Sequence, residues 1–417
     1  MNDAFIGARG FEAFAGHVGL TGAEFEERRA LLAESYMPFR VTRYYADLIR
    51  EQREPYRLQL LNIVLPPPGA KKFRGRFDPY GNRNARSAST SFLQHKYPRT
   101  LLLHIDDFCV ANCQFCYKVN EIRVERHQPW SYRDKLAMAL DYLTAHPEID
   151  NVLLSGGDPA SFRKTKDLVA IIGRLLESPR IRFVRFATKG LAYEPSRFLD
   201  PALLTFFEDV NRRTSKQVQL IVQLNHPAEI SSATERALEA VRAAGVQVRG
   251  QPALVAGVND SASTLAELQR RFLDVQIVSY YITVFMPVRG VEQYALRLHE
   301  AFGVVAASKR ELGGLEKKGV LVASHDFGKL EVCGFDPTPE APRRIILKWH
   351  QVAKPELLPA SLLARVSCRP EDVLVLDYEP EATFSVDDVF RFNGLPYHDA
   401  DNGLVEPELA GTPQVAP

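Results

Sequence analysis

Apolar residues recur at helical spacing at the start of the chain, whereas further on short apolar runs alternate with amphipathic stretches. In residues 1 to about 65, apolar positions at helical spacing alternate with charges, which predicts helices at residues 23–34 and 42–51. Three prolines, Pro66 to Pro68, interrupt this pattern. Residues 69–92 are rich in Gly, Ser, Asn and Arg, which is typical of a long loop. We therefore assign residues 1–92 to an N-terminal helical region and loop.

From about Tyr97 onward, short apolar runs alternate with amphipathic stretches. The apolar runs predict strands at residues 100–105, 151–155, 182–188, 217–224, 246–255 and 276–284. Helices are predicted between them at residues 131–145, 166–177, 201–212, 232–244 and 261–273. This alternation is typical of a parallel sheet covered by helices. Residues 93–336 are therefore predicted to form an α/β domain, an open (β/α)6 partial barrel with fewer than the eight units of a full one.

Beyond the sixth strand the patterns are weaker. Helical spacing returns from 290 to about 318, and residues 319–324 and 373–376 each predict a strand. The chain is rich in proline from residue 337, and its Gly, Pro and acidic residues after about 400 are typical of disorder. We assign residues 337–417 to a C-terminal extension without an assigned function.

Polar residues follow the strands at the end where parallel α/β proteins place their chemistry. The carboxyl ends of parallel strands meet at one rim, where the active sites of barrels lie. The predicted rim contains Cys109, Cys113, Cys116, Ser155, Gly156, Gly157, Asp158, Thr188, Lys189, Asn225, His226, Gln251, Tyr280 and Tyr281. We expect these residues to surround a single site.

The overall composition argues against some classes of function. A formal net charge of +1 over 417 residues does not suit an electrostatic nucleic-acid binder. We see neither a signal peptide nor an apolar run long enough to span a bilayer. Five cysteines in a chain of this length are typical of a reducing compartment. We therefore expect a cytoplasmic enzyme without nucleic-acid or membrane partners.

The densest group of reactive residues is Cys109, Cys113 and Cys116, directly after the first predicted strand. Cysteine thiolates hold iron–sulfur clusters, and a four-iron cluster has four irons to ligate. Three thiols leave one iron open to bind the amino and carboxylate groups of S-adenosylmethionine. Reductive cleavage of that cofactor yields a 5′-deoxyadenosyl radical, which no side chain can generate. The spacing thus predicts a 4Fe–4S cluster and S-adenosylmethionine.

Other interpretations of these cysteines are weaker. A zinc site would need a fourth ligand, and neither His104 nor His127 lies at a zinc-binding spacing. A disulfide framework would need a secreted chain dense in cysteine. Buried free cysteines would not favour this spacing, whereas the neighbouring Phe115 and Tyr117 suit a shielded cluster.

Two groups on the rim are candidates for binding the adenosylmethionine. Gly156, Gly157 and Asp158 form a segment that a ligand can approach closely, because glycine lacks a Cβ. The alternative is an ordinary turn from a strand into a helix.

Neutral side chains further along the rim suit the same cofactor. Asn225, His226 and Gln251 can form hydrogen bonds with ribose hydroxyls or a carboxylate, although His226 could instead cap the turn before Pro227.

At the end of the last strand, Lys329 can form a Schiff base with pyridoxal phosphate if its amine is partly desolvated. The alternative is a surface lysine in a turn.

Several segments occur in the order found in one known family. Residues 94–98 (QHKYP), the three cysteines, and residues 153–158 (LLSGGD), 225–230 (NHPAEI), 257–260 (GVND) and 280–282 (YYI) resemble the lysine 2,3-aminomutase family of radical S-adenosylmethionine enzymes. The resemblance implies an open barrel, a 4Fe–4S cluster and pyridoxal 5′-phosphate bound as an aldimine. It implies an isomerase that moves an α-amino group to the β carbon through an azacyclopropylcarbinyl radical. An amino acid substrate and a flavodoxin- or ferredoxin-type reductant follow, and a homo-oligomer is compatible.

Carried over by position, the resemblance assigns the cofactor residues. Cys109, Cys113 and Cys116 match the cluster ligands. Lys329 matches the aldimine lysine, although the glycine-rich run before it is shortened to Asp326-Phe327-Gly328. Counterparts of the family's zinc-binding cysteines are lacking.

The phosphate-binding positions differ from the family pattern. Lys96 and Tyr97 fall where the family binds the cofactor phosphate, with Lys96 in place of an arginine. Thr100 stands where a second arginine is usual, so that contact is lost or passes to Arg99.

The substrate positions differ as well. Lys118 falls where an arginine grips the substrate carboxylate, and it keeps the charge but loses the bidentate fork. Where the family holds the distal ammonium of lysine with two aspartates, this chain has Met286 and, near the second position, Ala323. Asp326 would supply one carboxylate only if the alignment shifts. We therefore expect a substrate other than free lysine.

Three functions remain open on the sequence. The leading one is a pyridoxal phosphate-dependent amino acid 2,3-aminomutase. The second is a radical enzyme on the same scaffold with different chemistry or without pyridoxal phosphate. The third is an iron–sulfur electron carrier, which would not need a large barrel with an adenosylmethionine rim.

Overall fold

The structure is a computed structural model that describes residues 4–68, 75–78, 90, 92–120, 130–162, 164–336, 338, 343–399 and 403–405. Its N-terminal region contains an antiparallel pair, β1 (Ala4–Ile6) and β2 (Arg40–Thr42), and helices α1 (Gly7–Val18), α2 (Gly22–Glu34), α3 (Arg43–Glu51) and α4 (Tyr56–Val64). Helices α2 and α3 confirm the two predicted ones. The side chain of Thr42 caps α3 by accepting a hydrogen bond from the Tyr45 amide. Most of the predicted loop at 69–92 lies outside the described residues.

The first sheet has seven strands in the order β10–β8–β7–β6–β5–β4–β3. They are β3 (Leu93–Tyr97), β4 (Thr100–Asp106), β5 (Asn151–Gly156), β6 (Phe183–Thr188), β7 (Gln217–Val222), β8 (Gln247–Gly250) and β10 (Val278–Ser279). Strands β4 to β8 and β10 run parallel, whereas β3 is antiparallel to β4. The predicted parallel α/β arrangement is therefore confirmed.

Helices connect these strands as the sequence pattern predicts. They are α5 (Tyr132–Ala145), α6 (Thr165–Glu177), α7 (Gly190–Tyr193), α8 (Pro201–Arg213), α9 (Ser232–Ala243) and α10 (Ala262–Asp274). Short 3₁₀ turns occur at Pro159–Ser161, Pro195–Leu199, Pro227–Glu229, Glu292–Tyr294 and Pro355–Leu357. No described helix combines the length and the apolar character that crossing a bilayer requires.

The second sheet has six strands in the order β15–β14–β13–β12–β11–β9. They are β9 (Ala253–Leu254), β11 (Tyr281–Val284), β12 (Val320–His325), β13 (Gly328–Phe335), β14 (Arg344–Val352) and β15 (Val373–Asp377). Each of the last two predicted barrel strands is divided between the two sheets, at Gln251-Pro252 and at Tyr280. Pro252 has no N–H for a continuous ladder, so the strand passes from one sheet to the other there. The open (β/α)6 barrel remains a prediction.

The C-terminal residues join the second sheet. Strand β14 pairs antiparallel with β13 and β15, so the assigned domain boundary at 336 falls between two paired strands. Helices α11 (Leu298–Arg310), α12 (Ala360–Arg365) and α13 (Val386–Phe392) and the short pair β16 (Tyr397–Asp399) and β17 (Gly403–Val405) complete the described chain. The strand predicted at residues 373–376 is confirmed as β15. The disorder predicted after residue 400 falls mostly on residues outside the described chain.

The two faces of the parallel strands have different environments. On β6, Val184 and Phe186 are fully buried, whereas the alternate residues Arg185 and Ala187 face an internal cavity. Helix α6 buries apolar residues at helical spacing: Leu168, Ile171, Ile172 and Leu175. The helices therefore cover one face of the sheet and leave the other to the cavity.

Candidate active site

The inner face of the sheets encloses a cavity of about 420 Å³. Eleven of the fourteen predicted site residues line it: Lys96, Tyr97, Cys109, Cys113, Cys116, Lys118, Gly156, Gly157, Asp158, Gln251 and Lys329. Asn225, His226 and Met286 are not among its lining residues. The tertiary structure thus brings the three thiols and Lys329 to one cavity, although more than 200 residues separate them in sequence.

The N-terminal region and the α/β sheets hold the cysteine loop between them. The amide of Asn112 donates to Arg40 O at 2.9 Å, and the amide of Gln114 donates to Ile63 O at 2.8 Å. From the other side, Ser161 Oγ accepts a 3.0 Å hydrogen bond from the amide of Val110. The helices before residue 65 therefore help to shape the loop that carries the thiols.

Gly156 and Gly157 pack against this loop. A Cβ on Gly156 would lie 1.9 Å from Asp106 O, and one on Gly157 would lie 2.3 Å from Phe108 O. The φ of Gly156 is +121°, which side chains disfavour. The glycines are thus required by the chain's own loop, and their predicted contact with adenosylmethionine stays a prediction.

The carboxylate of Asp158 has only internal partners. It accepts hydrogen bonds from the amides of Ala160 and Lys189 and from Thr188 Oγ1, at 2.8–3.0 Å. These bonds join the ends of β5 and β6. The carboxylate therefore orders the rim and retains little capacity for a ligand.

The three thiols are suited to a multi-iron cluster. Burial raises the pKa of Cys113 to about 11, although Lys189 and a 2.9 Å contact with Tyr193 Oη lower it. Burial also raises the pKa of Cys109. Among the described residues, the side chains whose ligand atoms lie within 4.8 Å of one another in a group of three are His95, His146 and Glu148. The three cysteine sulfurs do not form such a group, so they are not arranged around a single metal ion. Three separated thiols on one cavity fit a cluster that offers several irons.

Lys329 is a half-buried residue whose amine is desolvated. It is the second residue of β13, and its Nζ lies 3.2 Å from Gln351 Oε1 and 4.9 Å from the centre of the Tyr97 ring. Burial, and then the positive charges of Arg185 and Lys96, lower the pKa of Lys329 to about 7. A substantial fraction is therefore neutral near pH 7, as a lysine that attacks a carbonyl requires. These residues fit pyridoxal phosphate, whose aldehyde such an amine would bind.

Arg185 is a cavity residue that the sequence reasoning missed. Its Nε donates to Asn151 Oδ1 at 2.9 Å, and burial lowers the pKa of the guanidinium. Asn151 pairs in register with Thr100, the position of the missing family arginine. Arg99, the suggested replacement, instead forms an ion pair with Asp150 and is 68% exposed. The sequence did contain a signal for this residue, because Arg185 is a charged residue at an inward-facing position of the strand predicted at residues 182–188.

Asn225 and His226 have structural contacts. Asn225 Oδ1 accepts from the amide of Ala253 at 3.1 Å. His226 Nδ1 accepts from the amide of Ala228 at 3.1 Å, so its Nε2 donates to Gln59 Oε1 at 2.8 Å. The structure thus gives His226 the turn-capping contact of the alternative interpretation.

Met286 does not line the cavity either. Its side chain is buried, with 1% of its surface exposed. The residues that line the cavity therefore give no support to its predicted contact with a substrate.

No family model matches the chain, but several known 2,3-aminomutases are similar to it in sequence. A protein from Aquifex aeolicus assigned as an L-lysine 2,3-aminomutase is 33% identical over 336 residues, 79% of this chain and 86% of its own. The L-lysine 2,3-aminomutase of Escherichia coli is 30% identical over 50% of this chain and 58% of its own. Glutamate 2,3-aminomutase of Clostridioides difficile is 27% identical over 52% and 49%. A solved radical SAM methyltransferase from Sphaerobacter thermophilus overlaps 55% of this chain and 68% of its own, at 16% identity and a TM-score of 0.38.

Proposed function

The chain belongs to the lysine 2,3-aminomutase family, and we propose that it moves an α-amino group to the β carbon of an amino acid other than free lysine. The proposal requires a 4Fe–4S cluster, S-adenosylmethionine and pyridoxal phosphate. When bound, the first two supply a radical that removes hydrogen, and the third supplies an aldehyde that carries the amino group. The observation that carries the proposal is a neutralisable lysine, Lys329, on the same cavity as three cluster-type thiols.

The thiols of Cys109, Cys113 and Cys116 would hold the cluster, with one iron left for the adenosylmethionine. Such a cluster needs a one-electron donor, so a flavodoxin- or ferredoxin-type reductant is part of the proposal. The aromatic ring of Phe115 is 2% exposed and limits water beside the thiols.

Lys329 would hold pyridoxal phosphate through its neutral amine. Arg185 and Lys96 are the positive charges that lower the pKa of this amine. Both line the cavity, and either can neutralise a phosphate. Tyr97 presents its ring to the ammonium groups of both Lys96 and Lys329.

The charge of the cavity supports a substrate without a distal ammonium. Five basic side chains line it: Lys96, Lys118, Arg185, Lys189 and Lys329. Asp158 is the carboxylate among the described lining residues, and its oxygens already accept three hydrogen bonds. Asp326, the suggested rescue, pairs with Arg76 at 3.0 Å. A buried ammonium needs paired counter-charges, so lysine is poorly accommodated and an acidic or neutral amino acid is preferred.

A substrate panel tests this preference. Reduced enzyme would be incubated with S-adenosylmethionine, pyridoxal phosphate and single amino acids, and β-amino acids would be measured by mass spectrometry. We expect an acidic or neutral amino acid to turn over at least tenfold faster than lysine, since an unpaired buried ammonium costs about 1.4 kcal/mol or more. Lysine turnover above that of every other candidate would refute the preference.

Borohydride reduction tests the role of Lys329 separately. The loaded enzyme would be reduced and digested, and the pyridoxyl group would be mapped by mass spectrometry. We expect it on Lys329, with the exposed Lys318 as the internal control. A protein that binds no pyridoxal phosphate but cleaves S-adenosylmethionine would favour a radical enzyme of different chemistry on this scaffold.

A further inference from the structure

A buried ionic network joins three distant parts of the chain. Arg76 Nη1 lies 2.6 Å from Asp387 Oδ2 on helix α13, and its Nη2 lies 3.0 Å from Asp326 Oδ1 in the turn between β12 and β13. The side chains of Arg76, Asp326 and Asp387 are 9%, 3% and 5% exposed. Since 311 residues separate Arg76 from Asp387, only the tertiary fold creates this pair.

Two histidines extend the network. His325 Nδ1 accepts a 3.2 Å hydrogen bond from the amide of Phe327, so its Nε2 donates to Asp387 Oδ1 at 3.0 Å. The same oxygen of Asp387 accepts from the amide of His398 at 2.8 Å. His398 Nδ1 also lies 2.8 Å from Asp326 Oδ2. Residues 385–399 of the C-terminal segment therefore hold the turn at residues 325–328 from two positions.

That turn places two lysines of the cavity. Lys329 follows it directly, and Ser324 and Lys329 pair in register across the β12–β13 hairpin. Lys96 Nζ donates to the carbonyl of His325. At Gly328, with a φ of +152°, a Cβ would lie 2.2 Å from Gln351 O, so the turn has little freedom to shift against β14.

We propose that residues 385–399 are a positioning element of the active site, in which Asp387 and His398, together with Arg76, hold the 325–328 turn so that Lys329 and Lys96 face the cavity. Asp387 is a positioning residue, since it acts on the lysines through the turn. The inference rests on the proposed function for the identity of the ligand at Lys329, whereas the position of the turn does not depend on that ligand. It gives a role to a segment that lies beyond the family resemblance.

Electrostatics supports a permanently charged network. Burial alone would raise the pKa of Asp326, but Arg76, His398 and Lys96 lower it to about 2. The pKa of Asp387 is lowered in the same way, with burial opposed by Arg76 and His325. Both carboxylates therefore remain charged at physiological pH, and removing one leaves the buried Arg76 with a single carboxylate partner.

The test compares Asp387→Asn with Arg391→Gln on the same helix. Arg391 is 52% exposed, and its pair with Asp388 at 3.2 Å is outside the network. The first readout is the pH profile of acetylation of Lys329 by acetic anhydride, followed by peptide mass spectrometry, which needs no cofactor. The second is the Kd for pyridoxal phosphate. Iron content after cluster reconstitution and thermal unfolding report whether the rest of the protein is intact.

We expect Asp387→Asn to shift the Lys329 profile to higher pH, because a displaced turn exposes the amine to water. If the turn were not displaced, the loss of the negative charge alone would shift the Lys329 profile to lower pH. The Kd should rise about ten- to a hundredfold, with iron content unchanged, and Asp387→Glu should recover part of the loss. Arg391→Gln should behave as wild type.

A wild-type Lys329 profile in Asp387→Asn would overturn the proposal, whatever the Kd. If the wild-type protein binds no pyridoxal phosphate, the proposed function fails, and the acetylation profiles still decide whether the turn is held by Asp387. If Asp387→Asn does not fold, His398→Gln removes the milder contact with Asp326 and carries the same comparison.

Discussion

The backbone carbonyl of Asp106 accepts a 2.5 Å hydrogen bond from the amide of Gly157. The next amide, that of Asp158, donates to the carbonyl of Phe108 at 2.9 Å. These bonds attach residues 156–158, at the end of β5, to the segment that leads into Cys109. The two strongest sequence motifs of the chain are therefore parts of a single backbone arrangement, in which the glycines allow the cysteine loop to lie close to β5.

The first prediction is that Gly157→Ala weakens cluster binding. Its new Cβ would lie 2.3 Å from Phe108 O, so the loop must move. We expect iron per chain after reconstitution to fall severalfold, with a loss of about 1–3 kcal/mol in stability. Gly173→Ala in α6 is the matched control, because nothing lies within 4 Å of its added Cβ. Full iron content in Gly157→Ala would contradict the arrangement.

The second prediction concerns the cluster ligands. Replacement of Cys113 by alanine should abolish the reductive cleavage of S-adenosylmethionine, because the cluster loses one of three thiolates. The measurement is 5′-deoxyadenosine formed with dithionite under anaerobic conditions. Cys333→Ala should keep wild-type cleavage, since Cys333 is exposed and does not line the cavity. Wild-type-like cleavage by the Cys113 variant would disprove the ligand assignment.

The third prediction is a pH dependence of Lys329. Only the neutral amine is nucleophilic, and the pKa of Lys329 is lowered to about 7. Its acetylation by acetic anhydride should therefore rise with pH and reach half its maximum near pH 7. The exposed Lys318 in the same digest is the internal reference. A Lys329 profile that coincides with that of Lys318 would show that the amine is not buried in solution.

The fourth prediction assigns Arg185 to the binding of an anion. Arg185→Gln should raise the pKa of Lys329, because a positive charge that disfavours the ammonium form is removed. The Kd for pyridoxal phosphate should rise by roughly ten- to a hundredfold, since a hydrogen bond to a charged group contributes about 1.5–3 kcal/mol. Arg99→Gln is the control on the exposed surface. An unchanged Kd together with an unchanged Lys329 profile would exclude this role.

Local pattern was sufficient for the elements of the sheet. The alternation of apolar runs and amphipathic stretches located β4 to β7 and their helices within a few residues. It succeeded because the period of burial is set within each segment. The cysteine spacing was equally local, so Cys109, Cys113 and Cys116 were identified before any partner was known.

The partners of single polar side chains were decided by the tertiary structure. His226 and Lys329 each come shortly after a strand, yet the first caps a turn and the second faces the cavity. Likewise, the sequence contains Arg76 and Asp387 without any sign that they meet. Periodicity specifies which face of an element is buried. The group that lies opposite that face depends on segments hundreds of residues away, and burial then decides whether a charge is paired, neutralised or left to bind a ligand.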